Sequence, residues 1–175
     1  MPGYTKGQKM KRSVVALVLL FAACNSKKPQ FVVGDNFSVW LPEATTKTTS
    51  TNDEGLPETN WEVKHTGLTT AEFYSVKLSC YHEVLNPNDE LQSNEALLAL
   101  NGIKSIEQRR FDIVAKETGR SVPALFAVTR ETATGNVLNN VHVVDGHCLI
   151  TVGARLNNDN AGTVARVVSS VTIFK

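Results

Sequence analysis

The chain has 175 residues, 42% hydrophobic and 20% charged, with 18 Lys and Arg against 17 Asp and Glu. That length suits one domain with a sizeable core. A formal charge of +1, with no basic stripe along the chain, argues against nucleic acid as a partner.

Residues 1–9 are a polar preface containing Pro2, Gly3 and Gly7, which adds little to export, so Met10 is the expected start. Lys11-Arg12 then precede Val14 to Ala23, ten residues without a polar side chain. A membrane-crossing helix needs about 20 apolar residues. The run therefore reads as the charged and apolar regions of a secretory signal. It ends Phe21-Ala22-Ala23-Cys24, which resembles the bacterial lipobox: small residues before the cut, then a cysteine that takes a diacylglyceryl group. The resemblance implies a signal over 1–23 and a membrane anchor at Cys24. An ordinary secretory signal that leaves Cys24 unmodified is the alternative. Cleavage leaves 14 basic and 17 acidic side chains, a formal charge of −3.

Residues 24–35 are expected to form a lipidated tether, broken by Pro29 and Gly34, with 36–175 as a single domain. Lys27-Lys28 suit lipid headgroups. Asn25 stands where an aspartate would resemble an inner-membrane retention signal, which favours the outer membrane of a bacterial envelope. Cys80 and Cys148 remain after the anchor, and an oxidising exported compartment makes them a candidate disulfide. Two buried, reduced thiols are the alternative.

In the domain, Phe37, Val39 and Leu41 alternate as in a half-buried strand that Pro42 ends. Residues 43–57, rich in threonine, suit a loop or a solvated edge hairpin. Thr59–Thr66 and Ala71–Tyr81 read as a hairpin turning near Thr66-Gly67, with Tyr74, Val76, Leu78 and Cys80 on one face. Asn86-Pro87 breaks the sheet and opens a helix. Asp89 with Gln92 resembles a capping box, with Ser93 as a rival cap, and Ala96, Leu97, Leu100 and Ile103 make a helical stripe that Gly102 stops. Ile106–Ala115 and Val122–Arg130 are expected strands, the first with a continuing helix as competitor, joined onward by a turn at Ala133–Asn136.

Val137–Arg155 is a clear hairpin. Asp145-Gly146 is a favoured two-residue turn, which would set Val143 opposite Cys148 and Val141 opposite Ile150. Asn157–Asn160 supplies a loop and a cap. Val164, Val167, Val168 and Val171 follow at helical spacing, with Val171–Phe174 expected to leave the helix as a short apolar tail. The order argues for an α+β fold, a mostly antiparallel sheet of about six to seven strands flanked by helices.

Phe37-Ser38-Val39-Trp40-Leu41-Pro42 resembles the opening of PsbP-like domains, the fold of an extrinsic photosystem II subunit and a Ran-binding transport factor. Phe73-Tyr74-Ser75-Val76 is similar to their third strand. Gly146–Val152 followed by Val167-Val168-Ser169-Ser170-Val171 is similar to their close, although relatives end Ser-Phe where Val171 stands. Gly119-Arg120-Ser121-Val122-Pro123 matches their central Gly-x-x-Gly-like element only loosely. The resemblance implies a sheet flanked by helices and a binding or assembly role, with no particular activity.

Chemistry is sparse. His82-Glu83 begins a zinc motif, but Asn86 occupies the second histidine's place and Pro87 opposes the helix it needs. Asn157–Gly162 is oxygen-rich like a calcium loop, yet lacks the closing Glu. Cys80 and His82 share a strand face and could form a thiolate–imidazole pair; a buried Cys beside a strand-end His is the plainer reading. His65, His142 and His147 are scattered. No catalytic, metal or cofactor residue is expected. The expectation is a non-enzymatic envelope lipoprotein that binds another envelope protein or steadies an assembly. A small-ligand or cell-wall-binding lipoprotein comes next, and an enzyme built on Cys80 and His82 third.

Overall fold

The computed structural model describes residues 28–66, 71–100, 103–156 and 160–175, with side chains described except at 64–66, 71–72 and 94–100. Strands β1 (Gln30–Val33), β2 (Phe37–Leu41), β3 (Thr46–Thr51), β4 (Pro57–Thr66) and β5 (Ala71–Cys80) come first. Helix α1 (Pro87–Leu100) leads to β6 (Ile103–Val114), β7 (Ser121–Glu131), β8 (Val137–Asp145) and β9 (Cys148–Leu156). Helix α2 (Ala161–Ser169) and β10 (Thr172–Ile173) close the chain. The fold is α+β and dominated by sheet, as its patterning predicts.

A seven-stranded antiparallel sheet runs β3-β4-β5-β9-β8-β7-β6, and a three-stranded sheet runs β1-β2-β10. Hairpins build β3 to β5, and the chain then leaves the middle of the sheet. Through α1 it reaches the far edge at β6, and hairpins return it to β9 beside β5. The end of β5 thus meets the start of β9.

The core lies between the two sheets. Phe37, Val39 and Leu41 of β2 meet Tyr74, Val76, Val143, Ile150 and Val152 of the large sheet, with Val164 and Val167 of α2 closing one side. Phe37 meets Trp61 edge-on at 6.1 Å. On the other face α1 covers a smaller cluster of Leu91, Leu125 and Val144.

Four local expectations are corrected. Gln30–Val33, within the stretch expected as tether, is instead strand β1, paired with β2 from Gln30↔Leu41 to Val33↔Ser38. The first helix is capped by Asn86, not Asp89. Asn86 Oδ1 accepts the Asn88 N–H at 3.1 Å and its carbonyl accepts that of Glu90, while Pro87 takes the first helical position, where no N–H is needed. The β8–β9 turn is Gly146-His147, with Asp145 opposite Cys148 and Val143 opposite Ile150. Gly146 alone of the two has positive φ (62°), as a type II′ turn requires. Asp145 stays in the strand because its carboxylate is held by Asn36 and by Arg120 Nη2 at 2.5 Å. The register moves by two residues, so every side chain keeps its expected face. Finally, the apolar tail after α2 is strand β10, with Ile173 opposite Phe37.

The threonine-rich segment is an edge strand with all six residues exposed. The Thr66-Gly67 turn, the stripe at Ala96, Leu97 and Leu100, the stop at Gly102 and most of the oxygen-rich loop lie outside the described residues or side chains.

Candidate functional site: an apolar groove beside the closing helix

A single helix about 10 Å across covers roughly two strands spaced about 4.8 Å apart. Helix α2 packs on β8, β9 and β2. The apolar face of the sheet continues past it through Phe126 on β7 and Phe111 and Ile113 on β6, all partly exposed. Between helix and strands opens a groove of about 460 Å³. Its floor is Phe111, Ile113, Phe126, Val141 and Leu156, and its wall is Ala161, Val164, Ala165 and Val168. That size falls within the range of about 300–1,000 Å³ usual for small-molecule sites.

Three polar side chains line the groove, Asn139, Arg109 and Ser169, and the Ser169 hydroxyl donates to the Arg166 carbonyl at 3.3 Å. Asn139 lies on the inward side of β8, and its Nδ2 is buried without a hydrogen-bond partner. A buried donor left unpaired costs about 1–3 kcal/mol, so an acceptor atom in the groove would find it ready. Arg109 stands at the rim, its guanidinium 6.0 Å from the Phe111 ring centre. The arrangement offers apolar area, one buried donor and one cation at the entrance.

The residues singled out from sequence fall elsewhere. Cys80 and Cys148 face each other across β5 and β9 and form a disulfide, with Cα atoms 4.1 Å apart. The Cys80 thiol is therefore consumed, and no thiolate–imidazole pair with His82 exists. His82 is exposed, its N–H donating to Glu54 Oε2 at 2.8 Å. His147 is exposed in the turn, where its carbonyl accepts the Tyr81 N–H. His142 is 6% exposed, its Nδ1 lies 3.3 Å from Thr151 Oγ1, and burial holds its pKa down at about 4. Among the described residues, no three His, Cys, Asp or Glu side chains gather as a metal group. Cys24 and the His65 side chain lie outside the described part. Asn160 stands at the start of α2, but its Nδ2 donates to Tyr74 Oη at 3.1 Å and the Arg155 carbonyl at 2.9 Å, tying helix to sheet.

The groove was not anticipated, although one signal was present. Asn139 precedes Val141 and Val143 in the same alternation, a polar residue in an inward slot.

Fold and groove together describe a small α+β domain, dominated by sheet, with an open apolar groove. No family model and no curated protein matches the chain. Among solved structures it is similar to LpqN, described as involved in cell envelope biogenesis of Mycobacterium tuberculosis. The identity is 16% over 85% of this chain and 86% of that one, with a TM-score of 0.39.

Proposed function

We propose that this is a non-catalytic, lipid-anchored envelope protein whose groove holds a slender amphiphilic molecule. The observation that carries the reading is the open groove with the unpartnered Asn139 Nδ2 inside it. Apolar walls supply binding free energy without selecting chemistry, while Asn139 and Arg109 would fix the polar end. The lipobox-like Phe21-Ala22-Ala23-Cys24 supports anchoring in a bacterial envelope, and Asn25 favours the outer membrane. A small ligand is favoured over a protein partner, because a groove of about 460 Å³ matches a small molecule where a protein partner would want a broad face.

A dansyl-labelled fatty acid tests this. It should bind the full chain saturably with one site. Ala165→Trp, which sets an indole in the groove from an exposed helix position, should weaken binding by at least about tenfold, roughly 1.4 kcal/mol. Equal binding by both proteins, or none by either, would overturn the assignment. Crosslinking from position 165 to a single envelope protein in intact cells would restore the protein-partner reading.

A further inference from the structure

Strand β1 carries a feature that the groove does not use. Phe31 and Val33 are each 63% exposed and, two residues apart, project from the same outward face of the small sheet. Val32 between them is buried in the core. Among the described residues the other exposed large apolar side chains, Val84, Ile106 and Val114, stand singly, as surface apolar residues commonly do. Beside the pair on the same face lies Trp40, the cross-strand partner of Phe31, with the Arg166 guanidinium of α2 4.0 Å from its ring centre. Lys28, exposed, precedes the strand, and Asp35, also exposed, follows it in the turn.

We propose that this face of β1 rests on the bilayer that holds the Cys24 acyl chains, with Phe31 and Val33 entering the headgroup boundary. The inference rests on the anchoring reading given under Proposed function. Phe31 lies seven residues after Cys24, a reach of at most about 25 Å when fully extended. The strand therefore cannot leave the membrane's vicinity. Tethering makes docking an intramolecular event, so a patch too small to hold a free protein suffices. Aromatic rings favour the interface, and Lys28, Arg166 and the adjacent Lys27 match anionic headgroups. Because α2 packs on β2 beside this face, docking would fix the height of the groove above the lipid.

The test uses the full lipidated chain in phosphatidylcholine–phosphatidylglycerol vesicles with brominated acyl chains, which quench nearby tryptophan. Phe31→Trp should add emission quenched at least about twofold more strongly than that added by Thr48→Trp on the exposed edge strand β3. Combining Phe31→Trp with Lys28→Glu and Arg166→Glu should lower that quenching. Co-flotation with vesicles reports the anchor separately. Failure to float overturns the anchoring reading, whereas flotation with equal quenching at positions 31 and 48 overturns the docking face alone.

Discussion

His142 gives the fold a calculable sensitivity to acid. The imidazole is buried on β8 against Thr151, and burial lowers its pKa from 6.5 to about 4. Its folded pKa is thus depressed, and the unfolded chain takes up a proton first as pH falls. Below the unfolded value, stability should drop by about 1.4 kcal/mol per pH unit until the folded histidine titrates as well. Between pH 7 and pH 4 the loss comes to about 3 kcal/mol from this one side chain. Urea unfolding of the wild type and of His142→Gln isolates it. Gln does not titrate and can still reach Thr151, so the two proteins should differ by no more than about 1 kcal/mol at pH 7. At pH 4 the wild type should have lost about 3 kcal/mol more than the variant did. Parallel pH profiles would refute the argument, showing that the folded imidazole protonates as easily as the unfolded one.

The Cys80–Cys148 bridge spans 68 positions. By the loop-entropy model its removal in Cys80→Ala/Cys148→Ala should cost about 4 kcal/mol, moving the urea midpoint down by roughly 2 M; two alkylatable thiols in the unreduced exported protein would contradict the bridge. Arg120 closes a polar cluster with Asp145, Asn36 and the Lys175 carbonyl, and Asp145 is only 8% exposed. Arg120→Ala should therefore destabilise by about 1–3 kcal/mol, read by thermal or urea unfolding, because it strands a mostly buried carboxylate.

Much of the fold was legible because one face of nearly every strand is buried. Tyr74, Val76 and Leu78, or Val141 and Val143, advertise a period of two that no loop or helix would keep. At one turn a long-range partner overrides a local preference. Asp145-Gly146 is a good turn pair in isolation, but Asn36, 109 positions away, and Arg120, 25 away, hold Asp145 in the ladder. Strand β1 lies between Pro29 and Gly34, breakers that suggest a tether, and Phe31-Val32-Val33 alternates in burial but not in hydrophobicity. Asp89 lost the capping role to Asn86, whose proline neighbour signals the first turn more strongly than a capping-box spacing does.

The groove could not be read from sequence in the same way, because it arises from what covers what. Helix α1, with 14 residues, lies over β6, β7 and β8 on one face of the large sheet. Helix α2, with nine, packs mainly on β9 and β8 of the other face and on β2. Part of the β6–β7 half of that second face is left open around Phe111, Ile113 and Phe126, with Arg109 beside Phe126 at its edge, while Val122 and Ala124 of the same face are buried. The edge strand β3 shows what this chain places on a face meant for water: Thr46-Lys47-Thr48-Thr49-Ser50-Thr51, without one apolar side chain. The contrast between the two edges of one sheet is the physical ground for treating the groove as a site rather than as incomplete packing. Apolar surface kept open costs solubility and stability, and a ligand that buries it would offset that cost.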